Sequence, residues 1–221
     1  MEKKLIYDNP LSGPDSVSGF CMEGKAQVTF PNGKMRMANL LDPGIGQAAN
    51  FVFWCGRAFP ASIEAEWDFC PISEPGLAML FFSAAGQNGE DLYSPTLAPR
   101  FGEYKSYHSG DINAYHVSYF RRKAPIERAF HTCNLRKSSG FHMVAQGADP
   151  LPDAHDSLPP YHIRLVKDKN HIRFFINQLP LFEYIDDGIT YGKVLEGGKI
   201  GFRQMAPLVA EYANFKVYEL I

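Results

Sequence analysis

The pattern that most constrains this chain is an alternation of apolar and polar residues, repeated in short runs that glycine, proline, asparagine and aspartate interrupt. Side chains on a β-strand point alternately to its two faces, so such runs predict half-buried strands. A long helix would need apolar residues every three or four positions, and the sequence has no extended run of that kind. The clearest predicted strands cover residues 51–55, 63–69, 77–83, 115–120, 141–145, 161–166, 172–176, 181–185, 199–203 and 212–218.

The turns between these runs indicate antiparallel pairing. Asp168-Lys169-Asn170 and Asn177-Gln178 separate three consecutive predicted strands, which is typical of a meander. About a dozen short strands in a chain of 221 residues indicate a sandwich of two sheets. We therefore expect an all-β fold, a two-sheet antiparallel jelly roll, as a single domain over residues 1–221.

Composition and charge exclude several classes of protein. The net charge is −2, so nothing attracts the whole chain to nucleic acid. The first residues lack a signal-peptide core, and no apolar run is long enough to cross a bilayer. We expect a cytoplasmic protein with no membrane partner. Its four cysteines are widely spaced, so we expect buried thiols and neither a metal nor another cofactor.

The chemistry of the chain is concentrated between residues 114 and 146. Between Arg121 and Lys137 there are six basic residues and one acid, and His116, His131 and His142 lie in the same region. Clustered arginine, histidine and asparagine with interleaved aromatic residues suits an anionic or hydroxyl-rich ligand. The alternative is a charged edge strand that prevents aggregation, and the sequence leaves both open.

Strand parity selects the side chains of this region that point away from the core. If Cys133 and Leu135 point inward, Asn134 and Arg136 point outward. For residues 115–122 the opposite phase, with Tyr119 and Arg121 outward, stays open. The predicted outward set is His116, Ser118, Arg122, Asn134, Arg136, His142, Gln146 and Arg203. These side chains converge if their strands belong to one sheet and remain apart if they belong to two.

Four segments resemble a known family: HSGDINAYHVSYFRR at 108–122, NLRKSSGFH at 134–142, QGADPLP at 146–152 and GKIGFRQMAP at 198–207. Over nearly its whole length the chain is similar to an uncharacterised bacterial family typified by the YesU protein of bacilli. The resemblance implies a concanavalin A-like or galectin-like fold and an association with the breakdown of pectin, especially rhamnogalacturonan. It implies no catalytic residues.

A pectin-derived oligosaccharide that contains uronate is therefore the expected ligand, and the first hypothesis is a lyase that cleaves it by β-elimination. Such an enzyme must neutralise the sugar carboxylate and then remove the neighbouring proton. His116 and His142 are the predicted catalytic base and acid, because imidazole titrates near neutral pH. The predicted substrate-binding residues are Arg122, Asn134, Arg136, Arg203, Ser118 and Gln146.

The second hypothesis is a glycoside hydrolase, which would use paired carboxylates. Glu64, Glu66 and Asp68 alternate along one predicted strand and share one face, with about 6.6 Å between successive backbone positions. That spacing suits a carboxylate pair, and the alternative is an ordinary solvent-facing strand.

The third hypothesis is a non-catalytic, lectin-like protein. Tyr93, Tyr104 and Tyr107 of a long predicted loop could stack on sugar rings. Such modules are usually secreted or attached to an enzyme, so a lone cytoplasmic chain favours an enzyme that acts on imported oligosaccharides. An exposed sheet edge or flat sheet face would also allow a homodimer, which the sequence leaves open.

Overall fold

The computed structural model describes residues 2–221, and most of them lie in β-strands. The strands are β1 Lys3–Asn9, β2 Cys21–Glu23, β3 Ala26–Thr29, β4 Met35–Asn39, β5 Phe51–Phe59, β6 Ile63–Ser73, β7 Leu77–Gly86, β8 Ile112–Tyr119, β9 Thr132–Ser138, β10 His142–Ala148, β11 Tyr161–Asp168, β12 His171–Ile176, β13 Leu179–Ile185, β14 Gly198–Met205 and β15 Val209–Leu220. Two short α-helices are α1 Lys105–His108 and α2 Pro125–Ala129. Over residues 2–221, no helix has the length and apolar character needed to cross a membrane.

Two antiparallel sheets form the architecture, as the sequence predicts. The eight-stranded sheet has the order β13-β12-β11-β6-β15-β4-β3, and β1 pairs with β15 beside β4. The seven-stranded sheet has the order β10-β9-β8-β7-β14-β5-β2. The predicted meander is confirmed, because β11, β12 and β13 are consecutive neighbours. Strands β1 to β4 are not predicted by the sequence pattern, because they are short or lie at sheet edges, where alternation is weakest.

The main core lies between the two sheets and is built from the inward side chains of each strand. Trp67 of β6 packs edge-on against Phe202 of β14, with ring centroids 5.9 Å apart, and its Nε1 donates a hydrogen bond to Oη of Tyr119 at 3.1 Å. All three residues are buried. Full burial of a large apolar side chain stabilises a fold by about 2 kcal/mol, so this layer fixes which face of each strand turns inward.

A second apolar cluster covers part of the outer face of the seven-stranded sheet. Trp54 and Phe81 of the sheet pack against Tyr107, which belongs to the long segment between β7 and β8. That segment is held down by a buried ion pair, in which Nη2 of Arg100 lies 2.8 Å from Oε1 of Glu23 on β2. The long loop therefore covers β5, β14 and β7, whereas Arg136 of β9 and Met143 and Gln146 of β10 keep exposed surface.

Arg122 lies inside the protein, which contradicts the prediction that it faces outward. Phe120 has a φ of +46°, and this left-handed residue breaks the alternation at the end of β8. Tyr119 and Phe120 are consequently both buried in the core, and Arg122 is fully buried after them. Its guanidinium donates from Nε to Asp153 at 2.9 Å and contacts Asp149 at 3.3 Å.

We expect Arg122→Met to lower the free energy of unfolding by about 3–5 kcal/mol, because it leaves the buried carboxylate of Asp149 without its cation. The matched control is Arg164→Met on the outer face of the eight-stranded sheet, where a partly exposed pair with Glu64 is worth about 1 kcal/mol or less. Chemical denaturation of both variants measures the difference. Equal losses in the two variants would contradict a structural role for the Arg122 network.

Candidate functional site

The register of the seven-stranded sheet brings six of the predicted site residues onto its outer face. Gln146, Asn134 and Ser118 are direct cross-strand neighbours in one row across the sheet. In the same row Ser118 pairs with Met79 of β7, and Met79 pairs with Arg203 of β14. The next row along the strands pairs Arg136 with His116. We call this set the polar face; its members are His116, Ser118, Asn134, Arg136, Gln146 and Arg203. Of the two alternatives that the sequence leaves open, these six residues follow the one in which their strands belong to one sheet.

Arg121 occupies the place on the polar face that was predicted for Arg122. Its Nη1 donates a hydrogen bond to Oγ1 of Thr132 at 2.7 Å, and its Nη2 lies 2.9 Å from Glu127. In the amide orientation that satisfies its neighbours, Asn134 accepts from Nη1 of Arg121 at 3.1 Å, and its nitrogen lies 2.8 Å from the Gln146 amide. The alternative phase of this strand predicts that Arg121 points outward. The sequence does not show, however, that Phe120 adopts a left-handed conformation.

His142 does not lie on the polar face, so the prediction that it points outward together with Gln146 is wrong. A bulge between Met143 and Ala145 shifts the register of β10, so that Met143 pairs with Arg136 on the outer side. His142 pairs with Lys137 and stacks on Tyr191, with ring centroids 4.3 Å apart. The bulge reverses the direction that strict alternation assigns to these two side chains.

Aromatic rings form a wall at the open end of the polar face. Phe141, which is 49% exposed, has its ring 4.7 Å from that of His108 and 5.5 Å from that of Tyr104. The guanidinium of Arg136 lies over the Phe141 ring at 3.7 Å from its centroid. Tyr104 and His108 come from the long loop. The sequence predicts that tyrosines of this loop stack on sugar rings, but it does not link the loop to the polar face.

Tyr104 of the long loop contacts His116 of the polar face, with Oη and Nε2 3.4 Å apart. Burial, followed by the charges of Arg136 and Arg203, holds the pKa of His116 well below its usual value. Burial raises the pKa of Tyr104 to about 12 against the opposing charge of nearby arginines. At neutral pH the imidazole is therefore neutral and the phenol keeps its proton, so the pair offers one proton acceptor and one donor.

The predicted acidic strand lies on the opposite side of the molecule. Glu64, Glu66 and Asp68 of β6 point outward from the eight-stranded sheet, as parity predicts, while Trp67 points into the core. Lys3 contacts both glutamates. Burial acts to raise the pKa of Glu64, but hydrogen bonds with Lys3 and Glu66 and nearby positive charges lower it on balance.

His162 and Arg164 lie beside the other acids of this strand. Nδ1 of His162 lies 3.2 Å from Asp68, and Nη1 of Arg164 lies 3.4 Å from Glu64. A hydrolase needs one carboxyl group with a raised pKa to act as the acid, and Glu64 is shifted in the other direction.

Three of the cysteines are the buried thiols that the sequence predicts, and Cys21 is the exception, because it is exposed. In the part of the chain that the structure describes, no group of three or more histidine, cysteine, aspartate and glutamate side chains is arranged to hold a metal ion.

The comparison with known proteins identifies close relatives. The family model "Domain of unknown function (DUF1961)" matches residues 4–217. The uncharacterized protein YesU of Bacillus subtilis (strain 168) is 53% identical over 220 residues, covering 100% of this chain and 98% of the relative.

Solved structures agree with the expected fold. The crystal structure of a Bacillus subtilis protein of unknown function with a galectin-like fold has a TM-score of 0.94 and 52% identity, covering 99% of this chain and 98% of that one. The carbohydrate recognition domain of Emp47p has a TM-score of 0.62 at 13% identity, covering 99% of this chain and 98% of that one. The first similarity confirms the predicted galectin-like sandwich, and the second concerns the fold alone.

The burial of His116 makes stability depend on pH. Because its pKa in the folded protein lies below the value of about 6.5 in an unfolded chain, the unfolded state takes up the proton more readily. The full stability is present above pH 6.5 and is lost progressively as the pH falls from that value toward the lower pKa of His116 in the folded protein. We expect the wild-type protein to lose more stability between pH 8 and pH 5 than His116→Gln, measured by urea unfolding. Identical losses would contradict a buried neutral imidazole.

Proposed function

We propose that this chain, which belongs to the DUF1961 family, binds an acidic oligosaccharide on the polar face of its seven-stranded sheet. The observation that carries the proposal is the combination of an exposed aromatic ring with a guanidinium and amide groups at one open end of a sheet. Phe141 and Arg136 supply the first two, and Asn134 and Gln146 supply the amides.

Each of these groups matches a part of a sugar acid. The apolar face of a sugar ring stacks on an aromatic ring such as that of Phe141. The guanidinium of Arg136 pairs with a carboxylate through charge-assisted hydrogen bonds. The exposed amide of Gln146 offers both a donor and an acceptor to the hydroxyl groups.

The fold supports a carbohydrate ligand, and the family resemblance supports pectin as the source of that carbohydrate. The Emp47p domain with the same fold is a carbohydrate recognition domain. We propose a fragment of pectin, of the rhamnogalacturonan type, as the oligosaccharide, because such fragments carry the uronate carboxylates that the arginines of the polar face would pair with.

We further propose that the protein cleaves this ligand by β-elimination. Tyr104 and His116 support this reaction, because they lie 3.4 Å apart and hold complementary protonation states. His116 would accept the proton from C5 of the uronate, and Tyr104 would give its proton to the leaving oxygen on C4. The C5–H and C4–O bonds break and a C4=C5 double bond forms, after which the proton on His116 returns to Tyr104 through their contact.

Product analysis tests the reaction. The pure protein is incubated with rhamnogalacturonan and homogalacturonan oligosaccharides, and the masses of the products are measured by mass spectrometry. We expect products whose total mass equals that of the substrate, with no water added. One product should absorb in the ultraviolet because of its C4=C5 double bond. Products with added water would contradict β-elimination and favour hydrolysis at Glu64, Glu66 and Asp68. Binding without cleavage would favour the lectin-like function.

A pair of arginines with the same local geometry tests the location of the site. Arg136 lies 3.7 Å over Phe141 on the seven-stranded sheet, and Arg164 lies 3.8 Å over Phe175 on the other sheet. We expect Arg136→Ala to weaken binding of an acidic oligosaccharide about tenfold or more, since a hydrogen bond to a charged group is worth about 1.5–3 kcal/mol. Arg164→Ala should bind as the wild type does. Calorimetric titration of both variants measures this, and equal affinities would place the site elsewhere.

A further inference from the structure

Arg203 lies in the middle of the seven-stranded sheet and is fully buried, yet no carboxylate pairs with it among residues 2–221. Its Nη2 donates to Oε1 of Gln47 and to the carbonyl oxygen of Gly102, both at 3.2 Å. Its Nε and Nη1 have no hydrogen-bond partner in the part of the chain that the structure describes. Three of the five N–H donors of a guanidinium are therefore buried without an acceptor.

The other arginines buried to a similar degree are paired. Arg100 lies 2.8 Å from Glu23, and Arg122 contacts Asp149 and Asp153. Burying a cation costs several kcal/mol unless a counter-charge and hydrogen bonds offset the loss of water. Arg100 and Arg122 have carboxylate partners that offset this cost, and Arg203 has none within the described residues. A buried cation without a counter-charge is suited to bind an anion from outside the chain.

The Tyr104 side chain packs over the guanidinium of Arg203. Its ring centroid lies 4.7 Å from the guanidinium carbon of Arg203 and 5.5 Å from the centre of the His116 ring. Nδ1 of His116 is also buried without a partner. Nε and Nη1 of Arg203 and Nδ1 of His116 therefore belong to the two residues against which the Tyr104 side chain packs.

The backbone on both sides of Tyr104 is fixed, whereas its side chain is partly exposed. Gly102 approaches the carbonyl oxygen of Asn50 so closely that a Cβ there would lie 1.9 Å from it. Tyr107 is buried in the second apolar cluster and accepts a hydrogen bond from the Gly102 nitrogen at 3.0 Å. These contacts would hold the long loop in place if the Tyr104 side chain rotated.

We propose that Arg203 forms an inner subsite for a carboxylate of the bound sugar acid and that the Tyr104 ring turns aside to admit it. This inference rests on the proposed function, because it assigns a second anionic group of the same ligand to the same face. Arg136 holds one uronate at the open end, and Arg203 takes another further along the sheet. The ligand class is thus an oligosaccharide with at least two uronates.

The first test uses the protein without ligand. Arg203→Met removes a buried cation that lacks a carboxylate partner, so we expect its melting temperature to stay within about 3 °C of the wild type. Arg122→Met is the matched control, since it removes an equally buried arginine that has two aspartate partners, and should melt far lower. A drop in Arg203→Met as large as that in Arg122→Met would overturn the inference by showing that Arg203 serves the fold.

The second test compares two ligands that differ only at the carboxylates. Trigalacturonate and its carboxyl-reduced counterpart are titrated calorimetrically into the wild type, Arg203→Met and Tyr104→Ala. We expect Arg203→Met to weaken trigalacturonate binding about tenfold or more and to leave the reduced trisaccharide unaffected. Tyr104→Ala should raise the association rate of trigalacturonate, measured by stopped flow, because the closing ring is gone.

The outcomes separate the two proposals. If the wild type binds trigalacturonate more tightly than the reduced trisaccharide and Arg203→Met changes neither affinity, the inner subsite is wrong and the binding of an acidic oligosaccharide stands. If neither trisaccharide nor any pectin oligosaccharide binds, the proposed function is overturned together with the inference drawn from it.

Discussion

The packing of the two sheets against each other determines the direction of almost every side chain in this molecule. Trp67, Tyr119 and Phe202 meet between the sheets, and each strand must turn its large apolar residues toward that layer. On a strand the next residue must then point outward. The polar face follows from this constraint, because Asn134 lies between two buried neighbours of β9 in the core and Ser118 between two of β8.

The long loop between β7 and β8 also determines how much of the polar face is accessible. Its apolar residues pack on Trp54 and Phe81, and the Arg100–Glu23 ion pair holds it to the sheet. The loop therefore divides the face into a closed half and an open half. Tyr104 lies at the boundary, where it contacts both Arg203 and His116 and so joins a binding surface to a buried charge.

The buried arginines show how differently one residue type can serve this fold. Arg122 is surrounded by carboxylates and a carbonyl oxygen, which makes it part of the framework. Arg203 has neutral acceptors on one nitrogen and none on the other two. Both lie in segments that the sequence marks only as basic or alternating, so the sequence could not separate a structural arginine from one that is available to a ligand.

Alternation within single strands was enough to predict the all-β class, the antiparallel sandwich, the meander from β11 to β13 and most members of the polar face, because side-chain direction on a regular strand depends only on local geometry. The same rule failed at Arg122 and His142. A left-handed residue at Phe120 and a bulge in β10 each change parity by one position, and both depend on how the strand ends meet the rest of the protein. Tyr104 reaches the site from a distant segment, and only the tertiary structure decides which loop covers which face. The sequence therefore determined the chemistry that is available, and the packing of the sheets and the loop decided which of those groups meet.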